Sequence, residues 1–200
     1  MDFLAATHNI GKRDEIQRIL AHLGIRVLIG PEAGVTLREP EENGETFEEN
    51  AMIKAKAAVE DSGLPCIADD SGLVVDALGG RPGIYTARYG GEELPFPQKI
   101  ERLLGEMEGV PEEKRTARFV CAAVCLFPDG RSVTVRGEVE GIIGFEPYGK
   151  GGFGFDPIFY YNGKSFAAMD PDEKDAVSHR GNALRKLADE LGELIRKSED

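Results

Sequence analysis

The chain has 200 residues, 41% hydrophobic and 30% charged, a globular composition that excludes a collagen-like or disordered protein. Its 24 basic and 36 acidic residues leave a formal charge of −12. Such a polyanion is not drawn to a nucleic-acid backbone, although a confined basic pocket for a small anion remains open to it. The length suits one domain, residues 1–200, burying roughly 70% of its unfolded surface without disulfide or metal staples.

In chain order, Phe3 to Ala6 is a short apolar strand that runs into the polar turn Thr7-His8-Asn9-Ile10-Gly11-Lys12. Ile16, Ile19, Leu20 and Leu23 recur at helical spacing, and Gly24 stops that helix. Ile25 to Ile29 reads as a second strand, followed by an irregular acidic stretch over residues 30–45. Thr46 and Glu49 form a capping box that opens a second helix through Ala51, Ala55 and Ala58 to about Asp61. Cys66 to Ala68 is a short buried strand ending at the turn Asp69-Asp70-Ser71-Gly72. A helix over 96–108 presents Ile100, Leu103, Leu104 and Met107 on one face. Residues Arg118 to Phe127 and Ser132 to Glu140 flank Pro128-Asp129-Gly130, a hairpin signal. The six glycines of residues 141–154 predict no regular element there. A last helix carries Leu184, Leu187, Leu191, Leu194 and Ile195. Crossovers together with a hairpin make the fold class α/β, a mixed β-sheet flanked by helices.

Cys66, Cys121 and Cys125 are odd in number and build no disulfide framework. No His or third Cys stands near Cys121 and Cys125, so all three read as small core hydrophobes rather than metal ligands. The opening residues show no basic stretch leading into a long apolar run, and no window approaches ~18 apolar residues. Neither a signal peptide nor a membrane span is expected, and the expected location is the cytoplasm.

Five segments are candidates for chemistry. The turn Thr7 to Lys12 feeds a helix N-terminus, where open backbone N–H groups and a lysine suit an anion. It is not a Walker A loop, because Ala6 stands where the first glycine belongs and Arg13 where Ser or Thr does. Asp69 and Asp70 are adjacent carboxylates at the end of an apolar strand, an unfavourable arrangement unless they hold a metal or are hydrogen-bonded. Alternation along a strand sends the two to opposite faces. Lys54 shares a helical stripe with Phe47 and Asn50. In Gly151 to Pro157, glycines admit close backbone approach and Phe153 offers a ring for stacking. Lys174 and Ser178-His179-Arg180 supply donors near the start of the last helix. The Asp-x-Asp pattern of haloacid dehalogenases and the Gly-x-Ser-x-Gly elbow of serine hydrolases are both missing.

In this order the segments resemble the inosine triphosphate pyrophosphatase family, from Phe3 to about Leu191. The resemblance is carried by Leu4-Ala5-Ala6-Thr7-x-Asn9-x-x-Lys12, Glu42-Asn43-Gly44-x-Thr46-Phe47-x-Glu49-Asn50-Ala51 and Ala68-Asp69-Asp70-Ser71-Gly72-Leu73. It continues in Leu78-Gly79-Gly80-x-Pro82-Gly83-Ile84-Tyr85-x-Ala87-Arg88-Tyr89, Gly151 to Pro157 and Ser178-His179-Arg180-Gly181. The resemblance implies an elongated two-lobed fold with the site in the cleft, a homodimer, and Mg²⁺-dependent hydrolysis of ITP, dITP and XTP to monophosphate and pyrophosphate. It implies a triphosphate held by Thr7, His8, Asn9, Ile10, Gly11, Lys12 and Lys54. Asp70 would bind Mg²⁺ and accept a proton from water, its pKa kept low by the metal, and Glu41 or Glu42 would complete the metal site. Ser71, Phe153, Gly154, Phe155, Asp156, Lys174, His179 and Arg180 would surround the nucleoside. Phe155 stands where relatives often carry Tyr. A small-molecule substrate, with no nucleic-acid or membrane partner, follows from the same reading.

Overall fold

The computed structural model of the chain describes residues 1–196. In chain order it contains β1 (Asp2–Ala5), α1 (Ile10–Leu20), β2 (Arg26–Leu28), α2 (Phe47–Ser62), β3 (Cys66–Val75) and α3 (Phe96–Glu106). Then come β4 (Thr116–Leu126), β5 (Ser132–Ile143), β6 (Phe159–Tyr161), β7 (Lys164–Ser165), α4 (Pro171–Val177) and α5 (His179–Arg196). The strands form a seven-stranded sheet in the order β2-β1-β3-β4-β5-β6-β7. β1 pairs in parallel with β2 and β3, whereas β6 pairs antiparallel with β5 and β7, so the sheet is mixed as expected. No helix of the described residues is long and apolar enough to cross a membrane.

The chain divides into two compact units: Met1–Asp70 with Cys121–Gly137 and Arg180 onward, and Ser71–Val120 with Glu138–His179. In the first unit the two faces of the sheet are covered separately. Phe3, Ala5 and Ile67 pack with Ile16 and Leu20 of α1 and with Leu184, Leu187 and Leu191 of α5. The intervening residues Leu4 and Cys66 pack with Ala58 of α2 and with Leu37. The period of two along each strand therefore decides which helix a side chain meets. The alanines of α2 let that helix lie close to the strands. The second unit has its own core, which includes Leu73, Leu103, Phe119, Phe155, Phe159 and Phe166.

The helix boundaries follow local chemistry. α1 gives way to a short 3-10 turn capped by Gly24 at φ 68°, and α2 ends at Gly63, also left-handed at φ 67°. The α2 capping box is complete: Thr46 Oγ1 accepts from Glu49 N–H at 3.1 Å, and the Glu49 carboxylate accepts from Thr46 N–H at 3.2 Å. The turn at Pro128-Asp129-Gly130 closes with Phe127 N–H donating to the Arg131 carbonyl at 2.9 Å. The cysteines are free and buried, and burial pushes the Cys66 thiol up to about 11, which makes it unreactive.

Two expectations need correction. Asp69-Asp70-Ser71-Gly72 is not a turn; β3 runs through it to Val75, because Leu73 and Val75 continue the apolar pattern into the second core and the carboxylates find cations. The glycines after Glu140 do not end the strand either. β5 reaches Ile143, and Gly141 and Gly144 lie against Tyr160, where a Cβ would collide.

Because the α2 cap is solvent-exposed and closed on both sides, Thr46→Ala is expected to lower folding stability by about 1 kcal/mol. The midpoint of urea unfolding, compared with wild type, checks this.

Candidate active site

The centre of the first unit is the carboxylate pair on β3. Asp69 is in phase with Ile67 and faces α1 and α5. Its two oxygens accept from Lys12 Nζ at 3.3 and 3.2 Å. Oδ2 also accepts from Arg180 Nε at 3.2 Å and from Nη2 at 3.1 Å, while Arg180 Nη1 donates to Glu15 at 3.0 Å. Asp69, Arg180 and Glu15 are all buried. Burial opposes the charge on Asp69, but Lys12, Arg180 and Lys54 outweigh it and hold the carboxyl far below the usual range. Burial likewise opposes the Arg180 charge, and Asp69 and Glu15 restore it.

Asp70, one residue on, faces α2. Its Oδ1 accepts from Lys54 Nζ at 2.9 Å, and the same ammonium stands 3.5 Å from Glu42 Oε2. Its Oδ2 is buried and has no hydrogen-bond partner among the described residues. Burial pushes the Asp70 carboxyl up; Lys54 offsets part of this, and the like charges of Glu42 and Asp69 add to it. Lys54 moves the other way: burial opposes its charge, and Asp70, Asp69 and Glu42 more than compensate. Glu42, not the exposed Glu41, is the glutamate brought to this group.

The opening turn forms as expected. Thr7 Oγ1 accepts from Asn9 N–H at 3.1 Å, and Asn9 caps α1 by accepting from Lys12 N–H at 3.2 Å. Thr7 and Asn9 thus shape the turn, and the Ile10 and Gly11 amides are the first-turn donors left for an anion. A Cβ on Gly11 would stand 3.2 Å from Asn9 Oδ1, which keeps that position small. Thr7, His8 and Lys12 of the turn, with Lys54, Glu42 and Asp69, line a cavity of about 360 Å³, with residues 37–40 along another wall. At its rim the exposed His8 ring stands 3.7 Å from Glu39.

In the second unit, Asp156 organises the glycine loop. Its Oδ2 accepts from Phe153 N–H at 2.8 Å and from Lys174 Nζ at 2.6 Å. It also crowds Gly152 so closely that no side chain fits there. Lys174 lies 4.7 Å from the centre of the half-exposed Phe153 ring. Phe155 is buried, edge-on to Phe96 and Tyr89, so its side chain anchors the loop and has no room for exposed stacking. His179 is buried and stacks on Phe119 with centroids 4.7 Å apart. Ser71 directly follows Asp70 on β3. Glu15 is the residue the sequence reading missed; its signal was its place one helical turn after Lys12 on the same face.

Among the described residues, no three His, Cys, Asp or Glu side chains form a metal cage. Two carboxylates do meet at Lys54, one with a buried oxygen to spare. This is the hard, all-oxygen donor set that suits Mg²⁺, which commonly takes one or two protein carboxylates and completes its shell with phosphate and water.

A turn at a helix start, two lysines and back-to-back carboxylates on an α/β sheet form a donor set whose chemistry suits a polyanion together with a hard cation. The chain belongs to the Ham1 family, whose model matches residues 3–190. It is 48% identical over 187 residues to the dITP/XTP pyrophosphatase of Bacillus subtilis, covering 92% of this chain and 94% of that one. A HAM1 protein structure from Coxiella burnetii superposes with a TM-score of 0.87 at 38% identity, covering 96% of this chain and 99% of its own. A nucleoside-triphosphatase, dITP/XTP pyrophosphatase, from Mycobacterium abscessus gives a TM-score of 0.75 at 41% identity, over 94% and 97% of the two chains.

Asp69 contributes stability that is fully present above its unfolded pKa of about 3.9 and is lost progressively as pH falls below it. Asp69→Asn, which leaves Arg180 and Lys12 short of a counter-charge, is expected to cost about 3–5 kcal/mol at neutral pH and to flatten the acid limb of stability. Urea titrations of both proteins between pH 7 and pH 3 read the two effects together.

Proposed function

We propose that the chain is a Mg²⁺-dependent nucleoside triphosphate pyrophosphatase acting on the non-standard purine nucleotides ITP, dITP and XTP. It converts each to the monophosphate and pyrophosphate, removing such nucleotides before they enter DNA or RNA. The observation that carries this reading is the buried, unpartnered oxygen of Asp70 beside Lys54 and Glu42, in a unit that also holds the anion turn. The relatives named dITP/XTP pyrophosphatase support the substrate class.

A triphosphate brings several negative charges, which repel any anionic group that must approach the phosphorus. The Ile10 and Gly11 amides, Lys12 and Lys54 hold that charge, and Thr7, His8 and Asn9 shape the turn around it. Asp70 and Glu42 would hold Mg²⁺, which supplies neutralisation of the phosphate oxygens. Asp70 accepts the proton of the water that attacks the α-phosphorus; a new P–O bond forms and the bond to the pyrophosphate oxygen breaks.

The family resemblance assigns the nucleoside to Ser71, Phe153, Gly154, Asp156, Lys174, His179 and Arg180, and Phe155 is the buried anchor of its loop. Donors set for a 6-oxo group are left unpaired by the 6-amino group of adenine, which disfavours ATP. Arg180 is buried with its guanidinium engaged by Asp69 and Glu15, and its role toward the base rests on the family resemblance. A homodimer and a cytoplasmic location belong to the same reading and rest on the family resemblance.

Pyrophosphate release from ITP, XTP, GTP and ATP, each with Mg²⁺ and with EDTA, tests the proposal. Selective, metal-dependent release from ITP or XTP is expected, with Asp70→Asn folded but reduced at least ~10²-fold in turnover. Release of single phosphates, preference for dUTP or dTTP over ITP, or full activity of Asp70→Asn would overturn it.

A further inference from the structure

We infer that Asn50 is a positioning residue for Glu42: it fixes the loop that brings this carboxylate to Lys54 and Asp70. The inference rests on the metal reading above and extends it to a residue that itself touches neither metal nor substrate.

Asn50 lies in the first turns of α2 and is fully buried. Its Oδ1 accepts from Gly44 N–H at 2.9 Å. The next two amides are taken by the same stretch of helix, because the Glu49 carboxylate accepts from Glu45 N–H at 2.6 Å and from Thr46 N–H at 3.2 Å. Three consecutive loop amides are thus held by two adjacent helix side chains. Gly44 presses against this clamp: a Cβ there would stand 2.7 Å from Asn50 Oδ1 and 2.7 Å from Glu49 Cβ. Glu42 lies two residues upstream, and its carboxylate stands 3.5 Å from Lys54, one helical turn beyond Asn50. A slip of one residue at the clamp would present Glu41 or Asn43 in its place.

Packing does not account for an asparagine at position 50. Its Nδ2 is buried with no hydrogen-bond partner among the described residues, which is unfavourable and which an apolar side chain of the same volume avoids. What the amide supplies in return is the acceptor that holds Gly44. Groups that orient metal ligands typically change metal affinity 10–100-fold when removed.

Mn²⁺ binding, followed by the paramagnetic resonance of free Mn²⁺ with a non-hydrolysable ITP analogue present, tests this. Asn50→Leu keeps the branched skeleton and removes the acceptor; Gly44→Ala keeps the acceptor and crowds the clamp. Both are expected to raise the Mn²⁺ dissociation constant 10–100-fold, to leave metal-free binding of the analogue within about twofold, and to recover turnover at high Mg²⁺. Thr46→Ala, which weakens the helix cap but not the Gly44 contact, is expected to lower the melting temperature with Mn²⁺ affinity unchanged. Wild-type Mn²⁺ affinity in Gly44→Ala and in a folded Asn50→Leu overturns the inference. So does an equal loss in Thr46→Ala, which would reduce Asn50 to a general contributor to stability. Should Asn50→Leu not fold, Gly44→Ala decides alone. A wild-type protein that binds no Mn²⁺ overturns the metal reading and this inference together, a result distinct from wild-type binding shared by the variants.

Discussion

Two adjacent carboxylates within a buried strand are the constraint around which the first unit is built. Successive side chains of β3 point to opposite faces, so Asp69 and Asp70 cannot share one counter-ion. Each needs its own source of charge or hydrogen bonds, because an uncompensated buried carboxylate is prohibitively unfavourable. Asp69 is met by Lys12 from α1 and Arg180 from α5; Asp70 is met by Lys54 from α2. The positions of three helices are thus tied to one dipeptide. The same dipeptide separates a fully satisfied carboxylate, which holds structure, from a partly satisfied one that retains chemical capacity.

The kinds of cation differ on the two faces. Arg180 has a rigid, planar fork that engages Asp69 and Glu15 at once and loses little freedom in doing so. It is nearly inaccessible to solvent. Lys12 and Lys54 are single ammonium groups on flexible stems, and both line the cavity. Such groups can exchange a carboxylate for a phosphate with only small rotamer changes. In a chain with a net charge of −12, these cations gain local importance because the surrounding surface offers an anion no competing attraction.

Much of this was legible in the residues. Apolar spacing located the principal helices and strands, the Thr46–Glu49 box located the start of α2, and the polar turn at Thr7 to Lys12 was visible ahead of α1. Strand alternation correctly sent Asp69 and Asp70 to different faces. What local reasoning lacked was contact between distant residues. The pairing of Asp69 with Arg180 spans 111 positions, and without it the dipeptide reads as a turn. The choice of Glu42 over Glu41 depends on a backbone amide clamped by Asn50, which no count of acidic residues supplies. Phe153 and Phe155 look alike between glycines, yet one is half exposed and the other forms part of a core, a difference set by Phe96 and Tyr89. The short β6 and β7 carry too few residues for a period to show. Residue roles in catalysis came from the family resemblance, which local physics then made chemically intelligible.

The path of the chain has a consequence for how the protein is made. It enters the first unit three times and the second twice, so neither unit is complete until distant stretches have been synthesised. N-terminal segments emerge first and begin to fold first. When Asp69 leaves the ribosome, its lysine partner already exists, but its arginine is more than one hundred residues away in time as well as in sequence. The buried end of β3 therefore waits, short of charge compensation, until α5 arrives to close it. Such long-range closure slows folding because the loop entropy is lost before the contact is gained. The last helix is in this sense the one that converts a collapsed chain into a site, and a nascent protein interrupted before residue 180 holds both aspartates without the guanidinium that makes the first of them stable.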